Sequence, residues 1–149
     1  ENLLIAKYRG ESRGLVPRKI QAFRDDFQKL IAQIGNGLDK HLDTPTGFLS
    51  GGQRQALSLL MATVKRPDLL LLDEHTAALD PKTSQSLMEL TDKIMEREHL
   101  TGLMITHHME DALKYGNRLI VMKEGKIIKD LDQEAKSQMA LNDYYAFFE

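Results

Sequence analysis

The chain has 149 residues, with 20 Lys+Arg against 22 Asp+Glu, so its formal net charge is −2 with histidine neutral. That length suits a single domain burying about 70% of its unfolded surface, and the near-balance of charge argues against a strongly basic nucleic-acid module or an acidic tail. The absence of Cys excludes disulfides and thiolate chemistry, and no stretch approaches the ~18 apolar residues of a membrane-spanning helix. The first residue is Glu1, no leader pattern follows it, and the chain reads as a piece of something longer.

Residues 1–9 read as a helix fragment and residues 10–16, with two glycines, as a loop. Pro17 opens a helix at its first position, where the missing N–H is no loss. On that helix Ile20, Phe23, Phe27, Leu30, Ile31 and Ile34 form an apolar face, with Arg18, Lys19, Arg24, Asp25, Asp26 and Lys29 opposite. Gly35-Asn36-Gly37 ends it with residues that tolerate positive φ. Ser50 is the predicted N-cap of a helix running to about Lys65, and Pro67 prevents its continuation. Leu69–Leu72 is an all-apolar run of the kind found in strands covered on both faces. Asp80-Pro81 caps and starts a helix to about Arg97. Leu103–Thr106 is a second short strand, followed by a helix to Lys114. Leu119–Met122 and Lys126–Lys129 flank Lys123-Glu124-Gly125 as a hairpin. The tail is predicted helical, with Tyr144, Tyr145, Phe147 and Phe148 near its end. This order predicts an α/β sheet domain preceded by a small helical part that must pack on the rest, with the boundary near residue 48.

Three segments carry possible chemistry. Ser50-Gly51-Gly52-Gln53 at a helix start offers backbone N–H groups, partial positive charge and glycines that admit close approach, which suits phosphate. Taken alone, a glycine-rich helix start without a ligand is the plainer reading. Asp73-Glu74 ends a strand at the edge where α/β proteins bind ligands. There Asp73 suits Mg²⁺, directly or through water, and Glu74 suits orienting or deprotonating an attacking water. The two acids serve equally well as caps of the next helix. His107, after the second strand, suits a phosphate oxygen or a held water, although a histidine there is more often an ordinary loop residue. A transition-metal site made of His107, His108, Glu110 and Asp111 is disfavoured, because adjacent histidines on a strand diverge.

In this order and spacing the segments are far more specific than any one of them. Leu49–Gln53 (LSGGQ), with Arg54-Gln55 after it, resembles the signature of ATP-binding cassette (ABC) transporter nucleotide-binding subunits. Leu69–Glu74 resembles Walker B, Ala77–Asp80 the D-loop, and Ile105–His107 the switch-histidine loop. The resemblance spans residues 1 to 130. It implies an α/β P-loop NTPase (RecA-like) parallel-sheet core, of which this chain would be the C-terminal half (residues 49–149), preceded by an ABC-type α-helical subdomain (residues 1–48) where the family docks its permease. It implies a head-to-tail dimer sandwiching two ATP molecules. Ser50, Gly51, Gly52 and Gln53 would face the γ-phosphate held by the opposite subunit, and Asp73 would support Mg²⁺. Glu74 would polarise the water, His107 would contact the γ-phosphate, and Asp80 would link the two sites. The implied partners are a second ATP-binding subunit and a membrane permease, at the inner face of the cell membrane, with no nucleic acid.

The sequence also departs from the family pattern. His75-Thr76-Ala77 stands where Pro-Thr-Ser is usual, which removes a rigid turn and adds a titratable group. Ala56–Thr63 is nearly all apolar where more Arg is usual. The EHTAALD variant resembles bacterial importer ATPases encoded with periplasmic substrate-binding proteins, for amino acids or other small solutes. No Gly-x-x-x-x-Gly-Lys-Ser/Thr is present anywhere, and Glu1-Asn2-Leu3 resembles the segment just beyond the family's Q-loop. The 149 residues are therefore expected to be a C-terminal fragment, inactive alone and prone to self-association. The alternatives are a non-transport ABC ATPase of DNA repair, chromosome condensation or translation, and a non-catalytic remnant. The absence of heptad runs, and Gln53 directly after the glycines, favour transport.

Overall fold

The computed structural model describes residues 1–11, 20–32, 37–145 and 147, and the readings at Pro17, Arg18, Lys19, Ile34, Gly35, Asn36 and Phe148 lie outside these. The chain divides into two compact units, Glu1–Met104 and Ile105–Glu149.

The first unit is built around two long helices, α3 (Gly51–Thr63) and α4 (Pro81–Arg97). Along α4, Leu87, Leu90, Thr91 and Ile94 recur at helical spacing and are buried. They share one core with Ala56, Leu59 and Leu60 of α3 and with Leu70. The helices α1 (Asn2–Lys7) and α2 (Ile20–Ala32) close the same core through Leu3, Leu4, Phe27 and Ile31. Tyr8 meets Phe23 edge to face, with ring centroids 5.9 Å apart. Leu3, Leu4, Phe27, Ile31 and Leu38 thus share one core with the segment that follows. After α2, Gly37 takes a φ of 77° and leads into a 3-10 turn, Leu38–His41, a conformation that glycine adopts without steric penalty.

The strands β1 (Leu70–Asp73) and β2 (Gly102–Ile105) pair in parallel, with α4 as the crossover between them. The Leu70 N–H donates to the Thr101 carbonyl at 2.9 Å. The apolar run predicts burial on both faces of β1, and this expectation is corrected. Leu70 is 5% exposed, but its neighbour Leu71 is 64% exposed. Successive side chains leave a strand on opposite sides, and the helical core covers only the side of Leu70. Leu69 on the run leading into β1, with Leu103 and Ile105 on β2, is also more than half exposed.

In the second unit, α5 (Met109–Lys114) precedes an antiparallel hairpin of β3 (Leu119–Lys123) and β4 (Lys126–Leu131). Glu124 and Gly125 form its turn, both at positive φ, 51° and 73°. Two left-handed residues match the twist of the strands they join. Leu119 pairs with Leu131 and Val121 with Lys129, and a bulge then shifts the register so that Met122 meets Ile127. Leu119 and Val121 form the core of this unit with Met109, Leu113, Met139 and Phe147 around them. Phe147 of the aromatic tail therefore docks on its own unit. Two short helices follow, α6 (Gln133–Ser137) and α7 (Leu141–Tyr145). Lys136 of α6 is buried and donates to the carbonyls of Tyr115 and Gly116, which ties α6 to the turn before β3. Burial lowers its pKa from the usual lysine value. No helix among the described residues is long and apolar enough to cross a membrane.

Uncovered apolar side chains on β1 and β2 favour association in water. Light scattering should detect self-association that rises with concentration and falls in Leu71→Lys, and a monomer at every concentration would contradict this.

Candidate functional site

Within the first unit the predicted signature turn opens α3. Ser50 is its N-cap, and a reciprocal capping box fixes the turn. The Gln53 N–H donates to Ser50 Oγ at 3.2 Å, and the Ser50 N–H donates to Gln53 Oε1 at 3.0 Å. The first helical bond runs from Arg54 N to the Ser50 carbonyl at 2.9 Å. The N–H groups of Gly51 and Gly52 lie ahead of that bond, in the turn where the helix dipole is most positive. The Arg54 guanidinium donates to the Leu49 carbonyl at 2.6 Å and holds the entry strand of the turn.

The two glycines also have a packing role that the sequence does not reveal. A Cβ on Gly52 would run into Cγ2 of Thr83, and one on Gly51 would lie 3.4 Å from Leu79 Cδ2. Gly52 is buried. The start of α3 therefore packs against the segment that runs from the D-loop into α4. A side chain at 52 would force Thr83 to shift, whatever ligand the turn binds.

The second cluster lies at the end of β1. Asp73 is the last strand residue and is exposed. Glu74 follows with a φ of 42°, a region that costs a non-glycine residue about 1–2 kcal/mol. The chain then turns, with Ala77 N–H bonded to the Glu74 carbonyl at 3.0 Å and Leu79 N–H to the Thr76 carbonyl at 3.1 Å. His75 leaves this turn toward α4, where its Nε2 lies 3.2 Å from the hydroxyl of Thr91. Asp80 ends the turn as the N-cap of α4, accepting from Thr83 N–H at 3.1 Å. Hydrogen bonds from Thr83, from its side chain first and then its backbone, hold the Asp80 carboxyl below the usual range.

Mg²⁺ binds through one or two carboxylates, with waters and phosphate oxygens completing its shell. The exposed carboxylate of Asp73 at a strand end fits that demand. No group of three or more His, Cys, Asp or Glu residues able to hold a metal occurs among the described residues.

His107 belongs to the second unit, in the bend between β2 and α5. Its ring lies 4.5 Å from that of His108, centroid to centroid, at 31°. This corrects the expectation that the two histidines diverge. Divergence belongs to a strand, and β2 has already ended at Ile105. The Thr106 hydroxyl accepts from His108 N–H at 3.0 Å and sets the bend. His107, His108, Glu110, Asp111 and Tyr145 line a shallow recess. Tyr145 was not anticipated at this position, and nothing in its spacing announces it. Gly51 and Gly52 thus lie against Leu79 and Thr83, Asp80 caps α4, and Asp73 and Glu74 precede that turn in the chain, whereas His107 belongs to the second unit.

Gly52→Ala should lower the denaturation midpoint through its collision with Thr83. Thr83→Ser, which removes Cγ2, should restore most of the loss in the double variant. A Gly52→Ala variant as stable as the parent would contradict the packing role.

Comparison with known proteins identifies the family of the chain. The family profile described as ABC transporter matches residues 2–77. A tyrosine transport ATP-binding protein of Clostridioides difficile is 42% identical over the whole chain, which covers 59% of that protein. An aliphatic sulfonates import ATP-binding protein of Agrobacterium fabrum is 43% identical over 72% of the chain and 40% of its own length. Among solved structures, MJ1267, an ATP-binding cassette of an ABC transporter, superposes with a TM-score of 0.71 at 26% identity, covering 99% of this chain and 60% of its own. The dimeric bacterial ABC transporter cassette MJ0796 gives a TM-score of 0.64 at 26% identity, over 89% of this chain and 54% of its own. The chain spans about 60% or less of the length of each of these relatives. Its fold is that of the ABC ATPase cassettes, within the P-loop NTPase class. The chain belongs to the family of ABC transporter ATP-binding proteins.

Proposed function

We propose that residues 1–149 supply the signature, Walker B, D-loop and switch-histidine elements of an ATP-hydrolysing subunit that powers a bacterial importer. The observation that carries this reading is Glu74, a carboxylate directly after β1, next to Asp73 and on a turn of positive φ. The similarity to a tyrosine transport ATP-binding protein and to an aliphatic sulfonates import ATP-binding protein supports import of a small solute, with an amino acid as the first candidate.

The chemistry assigned to the chain is phosphoryl transfer to water, which rests on positioning and electrostatics. The Glu74 carboxylate orients a water in line with the γ-phosphorus and accepts its proton as the new P–O bond forms. The bond between γ-phosphorus and the bridging oxygen breaks, giving ADP and inorganic phosphate. Asp73 holds Mg²⁺, directly or through water, and the ion when bound offsets phosphate charge. Ser50, Gly51, Gly52 and Gln53 present the first turn of α3 to the γ-phosphate of ATP held by a second subunit. His107 donates a hydrogen bond to the γ-phosphate that Glu74 acts on. Asp80 lies at the subunit interface and links the two sites. Residues 1–48 form a helical subdomain that meets the permease, with residues 49–149 as the catalytic part, and the assembly works at the cytoplasmic face of the membrane. A periplasmic substrate-binding protein completes it.

The chain has no Gly-x-x-x-x-Gly-Lys-Ser/Thr, so it contributes no P-loop to cradle the phosphates. The 149-residue chain should show no ATP turnover above background alone. Turnover should appear when a polypeptide carrying that loop is added with Mg-ATP, and Glu74→Gln should abolish it. Turnover by the chain alone, removed by Glu74→Gln, would contradict the incomplete-site reading.

A further inference from the structure

Thr91 sits in the middle of α4 with 5% of its surface exposed, among Leu87, Leu90 and Ile94. Its hydroxyl donates to the Leu87 carbonyl at 2.8 Å. A hydroxyl carries a single proton. With that proton committed to Leu87, the Thr91 oxygen can only accept from His75, whose Nε2 lies 3.2 Å away. A proton on Nε2 of His75 is the tautomer this arrangement requires. This directional bond runs from the turn after β1 into the interior of α4.

The turn needs such a restraint. Glu74 lies at φ 42°, and a residue held in that backbone region keeps its conformation only when surrounding contacts determine it. The bond from Ala77 N–H to the Glu74 carbonyl closes the turn from one side. His75, the next residue in the chain, ties it from the other. A proline at this position would restrict the turn through its ring, whereas here a hydrogen bond to a buried hydroxyl supplies the restraint.

We infer that His75 and Thr91 form a positioning pair that fixes the direction of the Glu74 carboxylate toward the attacking water. This inference rests on the reading of Glu74 as the water-activating group. His75 touches no reacting atom in this scheme and acts only through the backbone it shares with Glu74. The pair is specific to a chain with both a donor ring at 75 and a hydroxyl at 91. Replacing either one releases the turn without removing the carboxylate.

The test uses the ATPase assembled from this chain and a P-loop-bearing polypeptide. Thr91→Val keeps the volume and removes the oxygen, and Thr91→Ser keeps the oxygen. The inference expects Thr91→Val and His75→Ala to lower kcat by roughly 10- to 100-fold, as misplacement of a catalytic group does. KM for ATP should stay unchanged, since no binding contact is lost. Thr91→Ser should hold kcat near the parent value. If Glu74→Gln abolishes turnover while Thr91→Val keeps the parent kcat, the pair does not position Glu74. Loss of kcat in Thr91→Ser equal to that in Thr91→Val would also overturn the inference. If Glu74→Gln itself turns over normally, the functional reading fails instead. Nitrogen-15 NMR of the unsubstituted chain gives a readout independent of variant folding. A proton on Nε2 of His75 supports the pair, and a bare Nε2 with the proton on Nδ1 overturns it.

Discussion

The packing of α3 against α4 is the constraint on which the first unit depends. Ala56, Leu59 and Leu60 meet the buried face of Leu87, Leu90 and Ile94 in one core. Each of these contacts removes apolar surface from water, worth about 25 cal/mol per Å². The two helices approach closely enough that a Cβ at residue 52 would collide with the Thr83 side chain. Because α4 is fixed in this way, the groups attached to it are fixed as well. Asp80 caps its first turn, Thr83 abuts the signature turn, and Thr91 receives the ring of His75. The turn carrying Glu74 is thereby tied to the same helix that supports Ser50–Gln53.

This arrangement gives physical content to the idea of a shared pocket. The α3 turn offers N–H donors and a positive dipole end, which favour an anion. The end of β1 offers carboxylates, which favour a cation and a water. Neither part encloses a nucleotide. In the function proposed above, both complete a site whose phosphate cradle would come from a sequence this chain does not contain.

The sequence made some of this legible for identifiable reasons. Ser50 with Gln53 three residues later is a capping box, and Asp80-Pro81 is a cap with a first-turn proline, so both helix starts could be read residue by residue. The hairpin was legible because Glu124-Gly125 suits a turn of two left-handed residues. Side-chain contacts across elements carry no such local sign. A threonine among leucines on α4 hints at a buried hydroxyl that needs a partner, but the spacing of residues 75 and 91 does not identify it. The exposure of Leu71 was missed because a run of leucines carries no alternation to say which face is covered. The close approach of the His107 and His108 rings does not follow from strand geometry, because β2 ends at Ile105, before Thr106.

The most direct measurement is an amide NMR titration of the nitrogen-15-labelled 149-residue chain, following Gly51 and Gly52. An unlabelled P-loop polypeptide and Mg-ATP are added separately and then together. A composite pocket predicts that both resonances shift in the presence of both components and stay in place with Mg-ATP alone. Equal shifts with Mg-ATP alone, or no shift with both components present, would contradict a pocket shared between two polypeptides.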